Sequence, residues 1–192
     1  MGRKVDMRRR ELLAGGAALA AAGLAAAMPG DGFAQASDPK NTLFLDLDWG
    51  RVVIQMRPDL APKHVARIKE LAAGGFYDGS AFHRVIAGFM AQTGDPTGTG
   101  SGGSGRKLAA EFNRERHVRG TCSMARTSDP NSADSQFFIC LAAASHLDGQ
   151  YTVWGQVVSG MEHVDRIKKG APGSGRVDNP DRIKRMRPAD AV

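Results

Sequence analysis

Phe82-His83-Arg84-Val85-Ile86-Ala87-Gly88-Phe89-Met90-Ala91-Gln92 places one cation inside an otherwise apolar run. Phe82, Val85, Ile86, Phe89 and Met90 surround Arg84, and Gly88 permits a sharp bend. A charge in such company is costly to bury unless it is paired or put to use. Two further stretches have the same character: Ser135-Gln136-Phe137-Phe138-Ile139-Cys140 and His146-Leu147-Asp148-Gly149. Together the three predict one shallow apolar pocket with a few aimed polar groups.

Upstream of this stretch, Thr42 to Asp48 alternates, with Leu43, Leu45 and Leu47 on one face and Phe44, Asp46 and Asp48 on the other. Trp49-Gly50-Arg51 reads as a turn and Val52 to Met56 as the returning strand of a hairpin ended by Pro58. Pro62 opens a helix through about Ala73, at a first-turn position that tolerates proline. Val65, Ile68, Leu71 and Ala72 form its inward stripe, and Gly74-Gly75 stops it.

Downstream, Gly94 to Gly105 is glycine-rich, and Gly98 to Gly103 matches G-x-G-x-x-G. No βαβ unit surrounds that match, so a flexible loop bordering the pocket is expected in place of a phosphate cradle. Val118 to Met124, Gln136 to Leu141 and Thr152 to Val158 read as strands. Ser159 is expected to cap a second helix, Met161 to Lys169, with Met161, Val164 and Ile167 inward. Ile183 to Met186 reads as a last strand. Short strands with two separated helices and no βαβ alternation predict a mainly β, closed antiparallel barrel.

The first 36 residues differ in composition from the rest. Arg8-Arg9-Arg10-Glu11-Leu12-Leu13 precedes a run of Ala, Leu and Gly, and Ala34-Gln35-Ala36 is a small-x-small cleavage pattern. This is the pattern of a secretory signal, and Arg-Arg-x-Leu-Leu resembles its twin-arginine form. The chain thus divides into a leader, 1–36, and one domain, 37–192. A protein exported to the periplasm is expected, with an N-terminal membrane anchor as the alternative. Without the leader the chain keeps 156 residues and a charge of +4, from 21 Lys+Arg against 17 Asp+Glu. No Lys/Arg block with interleaved aromatics occurs in that part, so a solvated basic surface is expected and no nucleic-acid partner.

Two cysteines, Cys122 and Cys140, lie in apolar runs and leave two readings, buried free thiols or a disulfide. His64, His117, His146 and His163 show no metal-ligand spacing, and Ser123, Ser135 and Ser145 lack a nucleophile elbow. His83 follows the strand alternation away from Arg84 and reads as a buried structural histidine. No metal and no cofactor is expected.

FHRVIAGFMAQTGD, SQFFIC and HLDGQYTVWGQV resemble the signature segments of cyclophilins, the cyclosporin-type peptidyl-prolyl cis-trans isomerases. The similarity runs from about Asn41 to about Arg187. It implies an eight-stranded closed barrel with a helix over each open end. It also implies Arg84 as the catalytic residue, with Phe89, Met90, Phe138 and Leu147 forming the proline pocket. Gln92 and Gln136 match positions that bind substrate backbone, and Ala125 and Arg126 match the strand edge that pairs with the peptide. His146 and Tyr151 complete the rim. The partners implied are proline-containing peptides and unfolded proteins, with cyclosporin bound weakly because His146 stands where many members carry Trp. Ala87 replaces a usual Pro before Phe89. Arg126 replaces a usual Asn, an added cation suited to acidic residues near the proline. Tyr151 replaces a frequent His. A short closed barrel offers no obvious dimer seam, so a monomer is expected.

The chemistry fits these residue types. Twisting an X-Pro bond breaks amide resonance against a barrier of about 18–20 kcal/mol. A fixed N–H donor aimed at the imide nitrogen stabilises only the twisted state, and an apolar pocket holds the ring while excluding water. The guanidinium is always charged and carries five donors in a rigid fork. Two other functions remain open at this level: a barrel that binds proline segments without turnover, and a sugar- or nucleotide-binding barrel suggested by the glycine-rich loop.

Overall fold

The computed structural model describes residues 38–192. The leader, its twin-arginine pattern and the cleavage after Ala36 lie outside the described residues. Strand β1 (Thr42–Leu47) and β2 (Gly50–Met56) form the N-terminal hairpin, in register from Thr42↔Gln55 to Leu47↔Gly50. Period-two alternation buries Leu43, Leu45 and Leu47 with Val52, Ile54 and Met56. The turn is shorter than expected: Asp48-Trp49 makes it, and Gly50 and Arg51 already belong to β2.

Helix α1 (Pro62–Ala73) buries His64, Val65, Ile68, Leu71 and Ala72. Its N-cap, Ala61, offers no side-chain acceptor. Instead the Glu111 carboxylate accepts the N–H groups of Lys63 and His64, at 3.1 Å each for Oε2, and the His64 ring at 2.7 Å. A residue nearly fifty positions away thus satisfies two of the orphan donors every helix start carries.

Strands β3 (Arg84–Ile86) and β4 (Met90–Thr93) form a second hairpin through Ala87-Gly88-Phe89. Gly88 sits at φ +70°, and the Phe89 N–H donates to the Ile86 carbonyl at 3.0 Å. The turn is therefore closed with alanine at position 87. Strands β5 (Thr121–Met124), β6 (Phe137–Cys140), β7 (Val153–Ser159) and β8 (Arg185–Pro188) complete the sheet, in the order β3-β4-β6-β5-β7-β2-β1-β8. Val118 is exposed and precedes β5 in a turn, and β8 begins two residues later than expected.

The sheet is an open half-barrel, not the closed barrel expected. Its ends, β3 and β8, do not pair. The gap is crossed by residues 170–183, which meet the first end through the isolated bridges Arg84↔Arg176 and Ala81↔Arg182 and through single bonds such as Gly170 N–H to the Val85 carbonyl at 2.9 Å, with no continuous ladder. Gly170, Pro172, Gly173, Gly175 and Pro180 interrupt that segment, and such residues cannot sustain a continuous ladder.

Helix α2 (Met161–Arg166) is shorter than expected and ends where Ile167 turns into the core, 1% exposed. Ser159 does not cap it. Gly160 occupies the cap at φ +85°, and a Cβ there would collide with the Arg51 carbonyl, so the position is closed to any residue with a side chain.

The main core fills the half-barrel and includes Trp154, Tyr77, Phe82, Phe137 and Ile139. A second, smaller cluster sits on the opposite face: Met90, Phe138, Cys140, Ala144 and Leu147, flanked by Ile86, Phe89, Ala125 and Tyr151. Strands β4 and β6 serve both. Ala91, Phe137 and Ile139 enter the first cluster, and Met90, Phe138 and Cys140 the second. Cys122 and Cys140 are free and buried, Cys122 in the main core and Cys140 in the second cluster.

Candidate active site

Pairing across three strand boundaries sets a row of residues on the second face. Arg84 of β3 stands opposite Gln92 of β4, Gln92 opposite Phe138 of β6, and Phe138 opposite Ser123 of β5. The adjacent row is Ile86, Met90 and Cys140. A hollow of about 100 Å³ opens over these rows, lined by Arg84, Phe89, Met90, Gln92, Ala125, Arg126, Phe138, Leu147 and Tyr151. Nine of the residues named from the sequence therefore converge. Met90, Phe138 and Leu147 are buried in its floor, whereas Arg84 is exposed at its mouth.

The Arg84 guanidinium is held by neutral oxygens. Nε donates to the Ser174 carbonyl at 3.2 Å and Nη1 to Gln92 Oε1 at 3.4 Å. Among the described residues no carboxylate forms an ion pair with it. The charge is oriented but not neutralised, and the rest of the fork is free to donate.

Two amides extend this hold inward. Gln92 Nε2 donates to Gln136 Oε1 at 2.9 Å, and Gln136 Nε2 donates to the carbonyls of Gly100 and Gly102, at 3.0 and 2.8 Å. Because Arg84 can only donate, the sense of both amides is fixed: oxygen toward Arg84, nitrogen toward the loop. Gln136 lies outside the hollow itself and lines an adjoining pocket of about 440 Å³ with Ser101, Gly103, Lys107 and Asp134.

The glycine-rich loop borders the pocket as expected, but it is pinned, not loose. Asp95 is fully buried, and its carboxylate accepts from Thr97 N and Oγ1 at 2.7 and 2.8 Å, Gly100 N at 2.6 Å and Gly102 N at 3.1 Å. Burial pushes the Asp95 pKa up, but these hydrogen bonds outweigh it and bring the group down to about 2. The sequence signal was available in Asp95-Pro96-Thr97, an aspartate positioned to bond the backbone two residues on.

Behind Phe138 lies a buried polar group that sequence reading does not reveal. The His117 ring stacks on the Phe138 ring at 6.1 Å between centroids. Its Nδ1 lies 3.0 Å from Asp148 Oδ1 and its Nε2 3.0 Å from Ser123 Oγ. Ser, His and Asp are thus assembled, but Ser123 is fully buried and its hydroxyl donates to the Thr152 carbonyl at 3.0 Å. A nucleophile needs access to its substrate, and this hydroxyl has none. The group instead props the aromatic floor. Burial lowers the His117 pKa against the raising effect of Asp148.

Two further named residues stand at the rim. His146 is exposed and outside the hollow's lining, its ring 5.2 Å from that of Phe89. Arg126 lies 4.4 Å over the Tyr151 ring, and its guanidinium donates to the carbonyls of Gln150 at 3.0 Å and Thr127 at 2.8 Å. It ties two loops together across the pocket's edge. His83 is buried, as expected, yet neither ring nitrogen has a hydrogen-bond partner. Among the described residues no group of three or more His, Cys, Asp or Glu is arranged to hold a metal ion.

Residues 43–188 match the family model described as cyclophilin type peptidyl-prolyl cis-trans isomerase/CLD. A Brucella suis biovar 1 protein named "Probable peptidyl-prolyl cis-trans isomerase" is 55% identical over 163 residues, covering 78% of this chain and 83% of its own. A solved cyclophilin from Hirschia baltica superposes with a TM-score of 0.73 at 27% identity, covering 81% of this chain and 76% of that one. A Cryptosporidium parvum cyclophilin-type isomerase, solved in the presence of the dipeptide Ala-Pro, gives 0.70 at 30% identity, with 76% and 97% covered. An apolar hollow with an unneutralised guanidinium at its mouth and a match along nearly the whole described domain lead to one statement: the chain belongs to the cyclophilin family and is a peptidyl-prolyl cis-trans isomerase.

Proposed function

We propose that the protein assists folding outside the cytoplasm by speeding X-Pro rotation in exported chains, acting as a domain of residues 37–192 freed from its leader. The observation that carries the site's reading is the setting of Arg84, an oriented and unneutralised donor beside a hollow sized for a small apolar ring. The proline ring sits against Phe89, Met90, Phe138 and Leu147. The acyl side turns, the imide nitrogen becomes pyramidal, and Arg84 donates to its lone pair. No bond to the protein forms, and no cofactor takes part. Peptide backbone is held at Gln92, Ala125, Arg126 and Gln136, with His146 and Tyr151 shaping the rim. Cyclosporin binds weakly, because His146 does not close the wall.

Exchange between cis and trans isomers of a proline tetrapeptide, followed by NMR with the purified protein and with Arg84→Ala, tests the catalytic assignment. Undiminished exchange by the variant sinks it. Cell fractionation with intact-mass measurement tests the location. A mass matching residues 37–192 in the periplasmic fraction is expected, and an unprocessed chain in the cytoplasm overturns the proposal.

A further inference from the structure

A second cleft, about 670 Å³, shares Arg84, Gln92 and Arg126 with the apolar hollow. Its other walls come from residues 97–100, from Ala81 and His83, and from the segment 174–182 that crosses the sheet's open end. The charged side chains facing it are Arg84, Arg126, Arg176 and Arg182 against the lone Asp178. None of the four arginines forms an ion pair with a described carboxylate. Their recorded hydrogen bonds go to neutral oxygens, such as Arg182 Nη1 to the Gly79 carbonyl at 2.8 Å. Like charges gathered around a concave wall repel and focus a positive field into it.

The wall also holds an unpartnered polar group. His83 is 7% exposed, and both of its ring nitrogens are buried without a hydrogen-bond partner. Gly100, which also lines the cleft, lies over the ring, and an added Cβ there would stand at contact distance, 3.6 Å, from Nε2. A buried donor left unsatisfied costs free energy that an incoming acceptor recovers. A neutral imidazole can donate one N–H without adding to the repulsion among the arginines.

We propose that this cleft binds an anionic group, a carboxylate or a phosphoryl, carried by the substrate chain within a few residues of the isomerised proline. The inference rests on the isomerase reading of the Arg84 pocket, since Arg84 forms part of both walls. An extended chain advances about 3.3–3.6 Å per residue, so a side chain two or three positions from the proline spans the distance between adjoining sites. Arg176 and Arg182 supply the charge, and His83 supplies the fixed donor.

The test uses the purified protein and a set of proline peptides alike except at one residue. That residue is Ala, Glu, Lys or phosphoserine, placed one, two or three positions to either side of the proline. The expected result is one position at which Glu or phosphoserine raises kcat/KM about tenfold over Ala while Lys lowers it. In the Arg176→Gln/Arg182→Gln protein that ratio falls to about one, with the Ala peptide still turned over. Glutamine at 182 keeps a donor for Gly79. Phosphoserine exceeding Glu assigns a phosphoryl, and equal effects assign a carboxylate; either upholds the site. No favoured position, or a preference that survives the double substitution, overturns it. Loss of turnover on the Ala peptide by the unaltered protein would instead indict the isomerase reading. The cleft is then judged directly, by titrating inorganic phosphate against chloride at equal ionic strength. Movement of the His83 ring nitrogen resonances upholds it, and their constancy overturns it.

Discussion

Gln92 faces Arg84 across the β3–β4 pair and accepts its Nη1 hydrogen, so the side chain that steers the cation is itself a neighbour in the same ladder. Strand register through Gln92 and the Ser174 carbonyl of the crossing segment together set the angle at which the guanidinium meets the pocket. Removing the donor removes an interaction made in the twisted state. Arg84→Ala should lower kcat/KM by about 10²–10³-fold, the usual cost of deleting one aimed donor. Arg84→Lys keeps the charge without the fork and should recover only part. Because the side chain is exposed, thermal unfolding of both variants should stay within about 0.5 kcal/mol of the parent.

Gln92→Glu exchanges a neutral acceptor for a charged one and gives Arg84 the carboxylate partner it now lacks. The guanidinium should be drawn off the pocket, and kcat should fall about tenfold. An ion pair near the surface is screened by salt, so activity should partly return between low salt and about 1 M, where the Debye length is about 3 Å. Stopped-flow or NMR exchange assays across salt would show this. A salt-independent loss would point to misfolding of the hairpin instead.

Phe138 is 4% exposed, stacked on His117 and part of the second cluster. Phe138→Ala should cost about 3–5 kcal/mol of stability through lost burial and the cavity left behind. It should also weaken binding of Ala-Pro in an NMR titration. Phe138→Leu should regain most of the stability but less of the binding, separating the two roles.

Asp95 makes the loop's conformation acid-sensitive. Its folded pKa, about 2, lies below the ordinary 3.8. Its contribution is therefore present above 3.8 and lost as pH falls toward 2. The difference amounts to about 2 kcal/mol by linkage. Denaturant midpoints measured from pH 5 to pH 2 should fall for the parent. Asp95→Asn should be less stable at pH 5, with a shallower decline, because an amide offers one oxygen to donors that need two.

His83 and His117 act in the same sense as Asp95, at higher pH. Burial lowers both pKa values below the ordinary 6.5, with Asp95 opposing it at His83 and Asp148 at His117. The unfolded chain then binds protons that the folded one refuses. Stability from these groups is full above 6.5 and declines as pH falls below it. His117→Asn should flatten that decline, as read from chemical denaturation between pH 7.5 and 5.5. An unchanged slope would assign it elsewhere.

Much of the pocket was legible because its residues come in dense, short motifs on strands. Alternation alone puts Met90 beside Ala91 and Phe138 beside Ile139 on opposite faces. Sequence could not reveal which face belongs to the core when both are apolar, as in Phe137-Phe138-Ile139-Cys140. The polar supports were not legible for a different reason. Glu111 caps α1 from 47 residues away, and His117, Ser123 and Asp148 meet only once β5 and β6 are paired. Barrel closure was overestimated because strand count says nothing of whether the last edge finds the first. The glycines and prolines of 170–180 decide that, and they read locally as an ordinary loop. Ser159 looked like a cap on type alone, but the close approach of Arg51 excludes every side chain from the next position.

A sheet that uses both of its surfaces has little freedom to change either. A larger or smaller residue at 90 or 138 reshapes the ligand's seat and, through strands one residue thick, disturbs the packing beneath it. Retuning of this scaffold toward new client sequences should therefore accumulate in the connecting segments, at Arg126, His146, Tyr151 and the stretch that spans the gap. A library randomised at those positions should retain folded members far more often than one randomised along β4 and β6.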